Sequence, residues 1–115
     1  KAIAGELMYT DISMAEVLQK KENGWAPFIL DVRSEKEYDQ VRIATVDLNV
    51  DHSRVQSIMN DLPTDKDILV HCKGGMRSEM AIMLLTRSGF DSSRLYNLSG
   101  GIMAWHAASP EDLEY

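Results

Sequence analysis

Ile68-Leu69-Val70-His71-Cys72-Lys73-Gly74-Gly75-Met76-Arg77-Ser78 is the stretch on which the reading of this chain turns. A short apolar run, preceded by the turn-forming Pro63-Thr64-Asp65-Lys66-Asp67, predicts a strand buried on both faces. Two glycines and then a helical pattern from about Ser78 to Arg87 follow it. The apolar positions Met80, Met83, Leu84 and Leu85 recur at helical spacing, and Gly89 is placed to end the helix. Strand, tight loop and helix in that order are the repeating unit of an α/β fold.

The same alternation extends in both directions. Phe28-Ile29-Leu30, Val46-Asp47-Leu48 and Arg94-Leu95-Tyr96-Asn97 are further runs of strand length. Ser13-Met14-Ala15-Glu16, Ser34-Glu35-Lys36-Glu37 and Ser53-Arg54-Val55-Gln56 each place a hydroxyl three residues before Glu or Gln. At that spacing the first side chain caps a free N–H and the fourth bonds back, so each is a candidate helix start. A last helix is expected over Gly101 to Ala108, stopped before Pro110. The expectation is a mostly parallel sheet of about five strands with helices on both faces, forming one domain over residues 1–115.

Composition narrows the function classes. With 44% hydrophobic and 26% charged residues the chain reads as an ordinary globular protein. No apolar run reaches the roughly 20 residues a membrane span needs, and no basic, apolar leader pattern opens the sequence. A formal net charge of −6 argues against nucleic acid as a partner, because phosphate contacts need clustered Lys and Arg. One cysteine forms no internal disulfide, and no Cys/His spacing resembles a zinc site, so neither metal nor cofactor is expected. A lone thiol fits a reducing compartment, the cytoplasm.

That thiol is Cys72, delivered by its strand to the carboxyl edge of the sheet, where open α/β sheets bind ligands. A cysteine at a strand end is commonly a small buried hydrophobe. Its neighbours argue for more than that. Gly74 and Gly75 let successive N–H groups turn inward, the helix beginning near Ser78 adds its positive end, and Lys73 and Arg77 add formal charge. All of these favour an anion, so the expectation is a depressed thiol pKa and a nucleophilic thiolate.

Three motifs, in order, resemble the rhodanese family. Asp31-Val32-Arg33-Ser34-Glu35-Lys36-Glu37-Tyr38 resembles its "DVR…EY" segment, and Cys72 to Ser78 resembles its active-site loop. Tyr96-Asn97-Leu98-Ser99-Gly100-Gly101-Ile102-Met103-Ala104-Trp105 resembles its "L.GG…W" signature. The likeness runs from about Met8 to Trp105. Where many members read "HIPGA", this chain has Arg42-Ile43-Ala44-Thr45-Val46, which leaves that turn's conformation open.

The resemblance implies a sulfurtransferase that takes sulfane sulfur from thiosulfate or a protein persulfide and carries it as a Cys72 persulfide to a thiophilic acceptor. The loop residues Lys73, Gly74, Gly75, Met76, Arg77 and Ser78 would form the anion cradle, with Asp31 ordering its surroundings beside Arg33. The alternative for that pair is a helix cap or surface ion pair. Arg77 is expected to brace the loop, the alternative being a pair with an acid outside it, and Lys73 to face the pocket mouth. His71 projects to the other face of the strand and is expected to pack. His52 and His106 carry no partner pattern, and the seven methionines are expected in the core.

Two other readings stay open. A rhodanese fold can serve as a catalytically silent binding or regulatory module, although silent members usually lack the cysteine kept here. A cysteine-dependent phosphatase or arsenate reductase needs five residues between Cys and Arg to wrap a tetrahedral oxyanion, and only four separate Cys72 from Arg77. The tail Pro110-Glu111-Asp112-Leu113-Glu114-Tyr115 resembles that of rhodanese domains fused behind E1-like adenylyltransferases. That likeness implies a ubiquitin-like sulfur-carrier protein as acceptor, and with the start at Lys1 it implies an excised domain.

Overall fold

The computed structural model describes residues 8–115, and the part of the expected domain before Met8 lies outside the described residues. The elements in chain order are β1 (Thr10–Ile12), α1 (Met14–Glu22), β2 (Phe28–Asp31), α2 (Glu35–Gln40), β3 (Arg42–Ile43) and β4 (Leu48–Asn49). A 3-10 segment (His52–Asp61) leads to β5 (Ile68–His71) and α3 (Met76–Arg87). A 3-10 turn (Ser92–Arg94) then opens β6 (Leu95–Leu98), followed by α4 (Gly101–Ala108), a second such turn (Pro110–Asp112) and β7 (Leu113–Glu114).

Five strands form one parallel sheet in the order β1-β6-β5-β2-β4. β5 lies in the middle and all four of its residues are buried. Alternation along it feeds two cores. Ile68 and Val70 join Leu30, Ala81, Ile82 and Leu85 under α3. Leu69 faces Ile12, Val17, Leu98 and Trp105 under α1 and α4. Each Ile, Leu or Val among them contributes about 1.5–3 kcal/mol on leaving water. The helices cover both faces, as the sequence patterning predicts.

The connection from β2 runs outward to β4, whereas that from β5 runs the other way to β6. The sheet therefore reverses its winding between β2 and β5, and a crevice opens beyond their carboxyl ends. Asp31 ends β2 beside His71, which ends β5. This reversal places the Cys72 loop.

Several expectations need correction. Ser53 does not cap a helix: the segment starts earlier, capped by Asp51, whose carboxylate accepts from both the N–H (3.0 Å) and the hydroxyl (2.7 Å) of Ser53. A hydroxyl already bonded to a carboxylate is not free to cap, and the segment winds as 3-10 rather than α. Gln56, the expected partner in that box, donates instead to Ser88 Oγ at 2.8 Å. Val46 and Asp47 are not strand: the Asp47 N–H reaches Ile29 O at 2.9 Å, but the Ile29 N–H goes to the Asp47 carboxylate at 2.8 Å rather than to a backbone carbonyl, and the strand register begins at Leu48. The Arg42–Val46 turn is settled by a strand the sequence patterning missed, since Arg42 and Ile43 pair antiparallel with Glu114 and Leu113 of the tail. The methionines are not uniformly core, with Met8, Met76, Met80 and Met103 all exposed. On α3 the buried positions are Ser78, Ala81, Ile82 and Leu85, so the buried stripe is rotated away from Met80. Among the described residues, no helix is long and apolar enough to cross a membrane.

Candidate active site

The ladder between β2 and β5 continues one step past the strands, with the Val32 N–H donating to His71 O at 2.9 Å. Cys72 comes next and is 1% exposed, its side chain on the α3 side of the sheet. The chain then turns sharply enough for the Gly75 N–H to point back at Cys72 Sγ, at 3.0 Å. That turn needs glycine at one position. Gly75 has φ +118, and a Cβ there would strike the Ser99 carbonyl. Gly74 has open space around it and no left-handed φ, so the expected need for both glycines holds for Gly75 alone.

Gly75 is also the N-cap of α3, so the free N–H groups of a twelve-residue helix open onto the sulfur. Ser78, one turn in and fully buried, brings its hydroxyl to 3.5 Å from Sγ. Burial alone pushes the Cys72 thiol up. Hydrogen bonds from the Ser78 hydroxyl and from the Ser78, Gly75 and Gly74 N–H groups outweigh it, and the net direction is down.

A second helix start pins the loop from behind. The Ile102 N–H donates to Cys72 O at 2.9 Å and the Met103 N–H to Lys73 O at 3.2 Å. The approach is close because Gly101, at φ +61, leaves no Cβ to meet Lys73 O or, at 2.7 Å, Gly74 N. Close backbone packing by the Gly100-Gly101 pair is thus seen, through Gly101.

Asp31 and Arg33 form a buried pair rather than a surface one, with exposures of 0% and 2%. Arg33 Nη2 donates to Asp31 Oδ2 at 2.7 Å and to Val41 O at 2.7 Å, tying β2 to the segment after α2. His71 packs with no exposure, one ring nitrogen 3.2 Å from Cys72 O, and burial pushes its imidazole below the usual range. The Arg77 guanidinium does not turn into the loop to brace it. It pairs with an acid outside the loop, Glu37 of α2, through two contacts of 2.7 and 3.0 Å. The Arg77 guanidinium holds the Glu37 carboxyl down at about 2.

Next to the loop lies a cavity of about 350 Å³ that Lys73 lines together with Arg33, Gln40, Met103, His106 and Tyr115, while Cys72 is not among its lining residues. Lys73 is exposed and lines this cavity, and His106, which carried no partner pattern, lines it too. The sequence reading missed Glu37, His106, Asn97 and Asp11 as parts of the site. Glu37 was visible only as the fourth residue of a capping box, a role it also fills by accepting from the Ser34 N–H at 3.0 Å. Asn97 reaches the site through β6 and Asp11 through β1, so only the strand order brings them near Cys72.

Comparison with known proteins agrees with this fold. The family model of the rhodanese-like domain matches residues 13–108. A thiosulfate sulfurtransferase of Coxiella burnetii is 31% identical over 106 residues, covering 90% of this chain and 94% of that protein. A sulfurtransferase of Allochromatium vinosum is 29% identical over 98 residues, covering 85% of this chain and 89% of that one. The crystal structure of reduced Bacillus anthracis CoADR-RHD superposes with a TM-score of 0.75 at 27% identity. It covers 94% of this chain, which spans only 18% of that longer one.

Proposed function

The chain belongs to the rhodanese-like domain family, and from that premise we propose that it is a sulfurtransferase carrying sulfane sulfur as a persulfide on Cys72. The observation that carries the reading is the Gly75 N–H aimed at Cys72 Sγ at 3.0 Å, from the first turn of α3. Such a donor stabilises the thiolate before reaction and the anionic persulfide after it.

With thiosulfate as donor, the Cys72 thiolate attacks the outer sulfur. A new S–S bond forms, the bond to the sulfonate sulfur breaks, and sulfite leaves with that electron pair. An acceptor thiolate or cyanide then attacks the terminal sulfur and Cys72 leaves as thiolate, with no net oxidation of the protein. Because Cys72 is only 1% exposed, the transferable atom is better presented once it stands one S–S bond, about 2 Å, further out. Lys73, lining the cavity, draws in anionic donors. Ser78 and the N–H groups of the Gly74-Gly75 turn receive the charge, while Arg77 fixes α2 against α3. Met76 and Met103, both exposed, form an apolar rim for the acceptor, a small thiol or a sulfur-carrier protein. A lone thiol is compatible with a reducing compartment such as the cytoplasm.

Intact mass after incubation with thiosulfate tests the reading. One added sulfur is expected, removed by cyanide and absent from Cys72→Ser. No adduct with thiosulfate or a persulfide donor would sink it.

A further inference from the structure

Behind Cys72, the Ser78 hydroxyl that receives charge during transfer is itself held by a hydrogen-bonded series. Ser78 Oγ is 3.5 Å from Cys72 Sγ, but it has two nearer partners, Asn97 Oδ1 at 2.5 Å and Gly75 O at 3.0 Å. Both of these only accept, and a hydroxyl has one proton to give. The Asn97 amide has no choice of orientation, because its Nδ2 donates to Asp11 Oδ1 at 3.0 Å and a carboxylate cannot donate back. With Nδ2 committed to Asp11, Oδ1 must face Ser78. Ser78 and Asn97 are 0% and 2% exposed, so water does not readily take the place of either. While Cys72 is neutral, the Ser78 proton therefore goes to Asn97, and the hydroxyl oxygen can accept the S–H.

We propose that Asp11 and Asn97 are positioning residues that hold the Ser78 hydroxyl proton away from Cys72 until the sulfur carries negative charge. When the thiolate forms, a hydroxyl that turns to it leaves Asn97 Oδ1 buried without a donor. The pair thus acts as a brake on ionisation, and it ties β1 and β6 to the chemistry at the end of β5. The inference rests on Cys72 being the reacting thiol but not on what it reacts with. Titratable and charged groups from the other packed elements also face this region. They are Arg77 of α3, which interacts with Cys72, Glu37 and Asp51, Lys73 next to Cys72 in the loop, His71 with its ring 3.2 Å from Cys72 O, and Tyr9 before β1, which interacts with Asp11 and Glu79. None of them bonds to Ser78 Oγ among the described contacts.

The pH dependence of Cys72 alkylation by iodoacetamide reads the effect without any sulfur donor. Asp11 is exposed, so Asp11→Ala leaves the core intact and removes the nearer acceptor of Asn97 Nδ2, leaving only the long 3.5 Å contact to Gly75 O to keep the amide from turning Nδ2 toward Ser78. The alkylation midpoint is then expected to fall by about half a unit, a roughly threefold gain in thiolate at a pH below it. In a Ser78→Ala background the same substitution should change nothing. An unmoved or raised midpoint in Asp11→Ala overturns the proposal. So does an equal downward shift in the Ser78→Ala background, since that would mean the Asp11 charge acts through space. Failure of the persulfide reading would leave these midpoints unaffected, so the two ideas fail separately.

Discussion

Glu37 shows how one carboxylate joins the scaffold to the site. Its Oε1 accepts from the Ser34 N–H and hydroxyl at 3.0 Å each, which starts α2, and the same carboxylate takes both Arg77 contacts. The result is a carboxyl lowered from 4.5 to about 2, with the Arg77 bond as its main cause. A depressed carboxyl stabilises the fold above its unfolded value and loses that contribution as pH falls through the folded value. The window is therefore pH 4.5 down to about 2. Both side chains are nearly a third exposed, so screening trims the effect to about 1–2 kcal/mol. Denaturant midpoints measured across that window should fall steeply for the parent chain and more gently for Glu37→Gln. Equal slopes would mean that the pair contributes nothing measurable.

Glycines at the starts of α3 and α4 make a sharper test at the scale of elements, because three adjacent-looking positions should behave differently. Gly75→Ala puts a Cβ into Ser99 O at a left-handed φ, and Gly101→Ala puts one into the Lys73 carbonyl. Each is expected to cost about 1–3 kcal/mol and to slow Cys72 alkylation, because the donor or the loop carbonyl must move. Gly74→Ala meets open space and should stay within about 0.5 kcal/mol of the parent. Thermal melts and alkylation rates of the three variants decide it, and a costly Gly74→Ala would contradict the geometry. The sequence carried the pair Gly74-Gly75 as a unit, because spacing cannot say which of two neighbours turns left-handed. The capping boxes at Ser13 and Ser34 were legible because both partners lie within four residues. β3 and β7 were not legible, since two-residue strands have no periodicity and their pairing spans the chain from Arg42 to Glu114. In the site, Cys72 and its loop could be read locally. Asn97 and Asp11 could not, because their place beside Ser78 follows only from β6 lying between β1 and β5.

At the scale of the molecule, charge and site pull in opposite directions. The chain carries a net −6, which repels an anionic sulfur donor at a distance. Arg77 cannot offset this freely, because Glu37 already neutralises it. Arg33 is likewise buried against Asp31. Lys73, exposed and lining the cavity beside the loop, has no carboxylate partner among the described contacts and is the cation that the proposed transfer would use to meet an anionic donor. Removing it should therefore act on encounter with the donor rather than on the thiol. Lys73→Ala is expected to slow persulfide formation from thiosulfate about three- to tenfold at low ionic strength. The deficit should shrink as salt approaches about 1 M, where the Debye length falls to roughly 3 Å. Alkylation by neutral iodoacetamide supplies the control, since an uncharged reagent gains little from the lysine. Rapid-quench mass measurement of the adduct across a salt series reads both. A deficit that persists unchanged at high salt would assign Lys73 to holding the loop rather than to drawing in the donor.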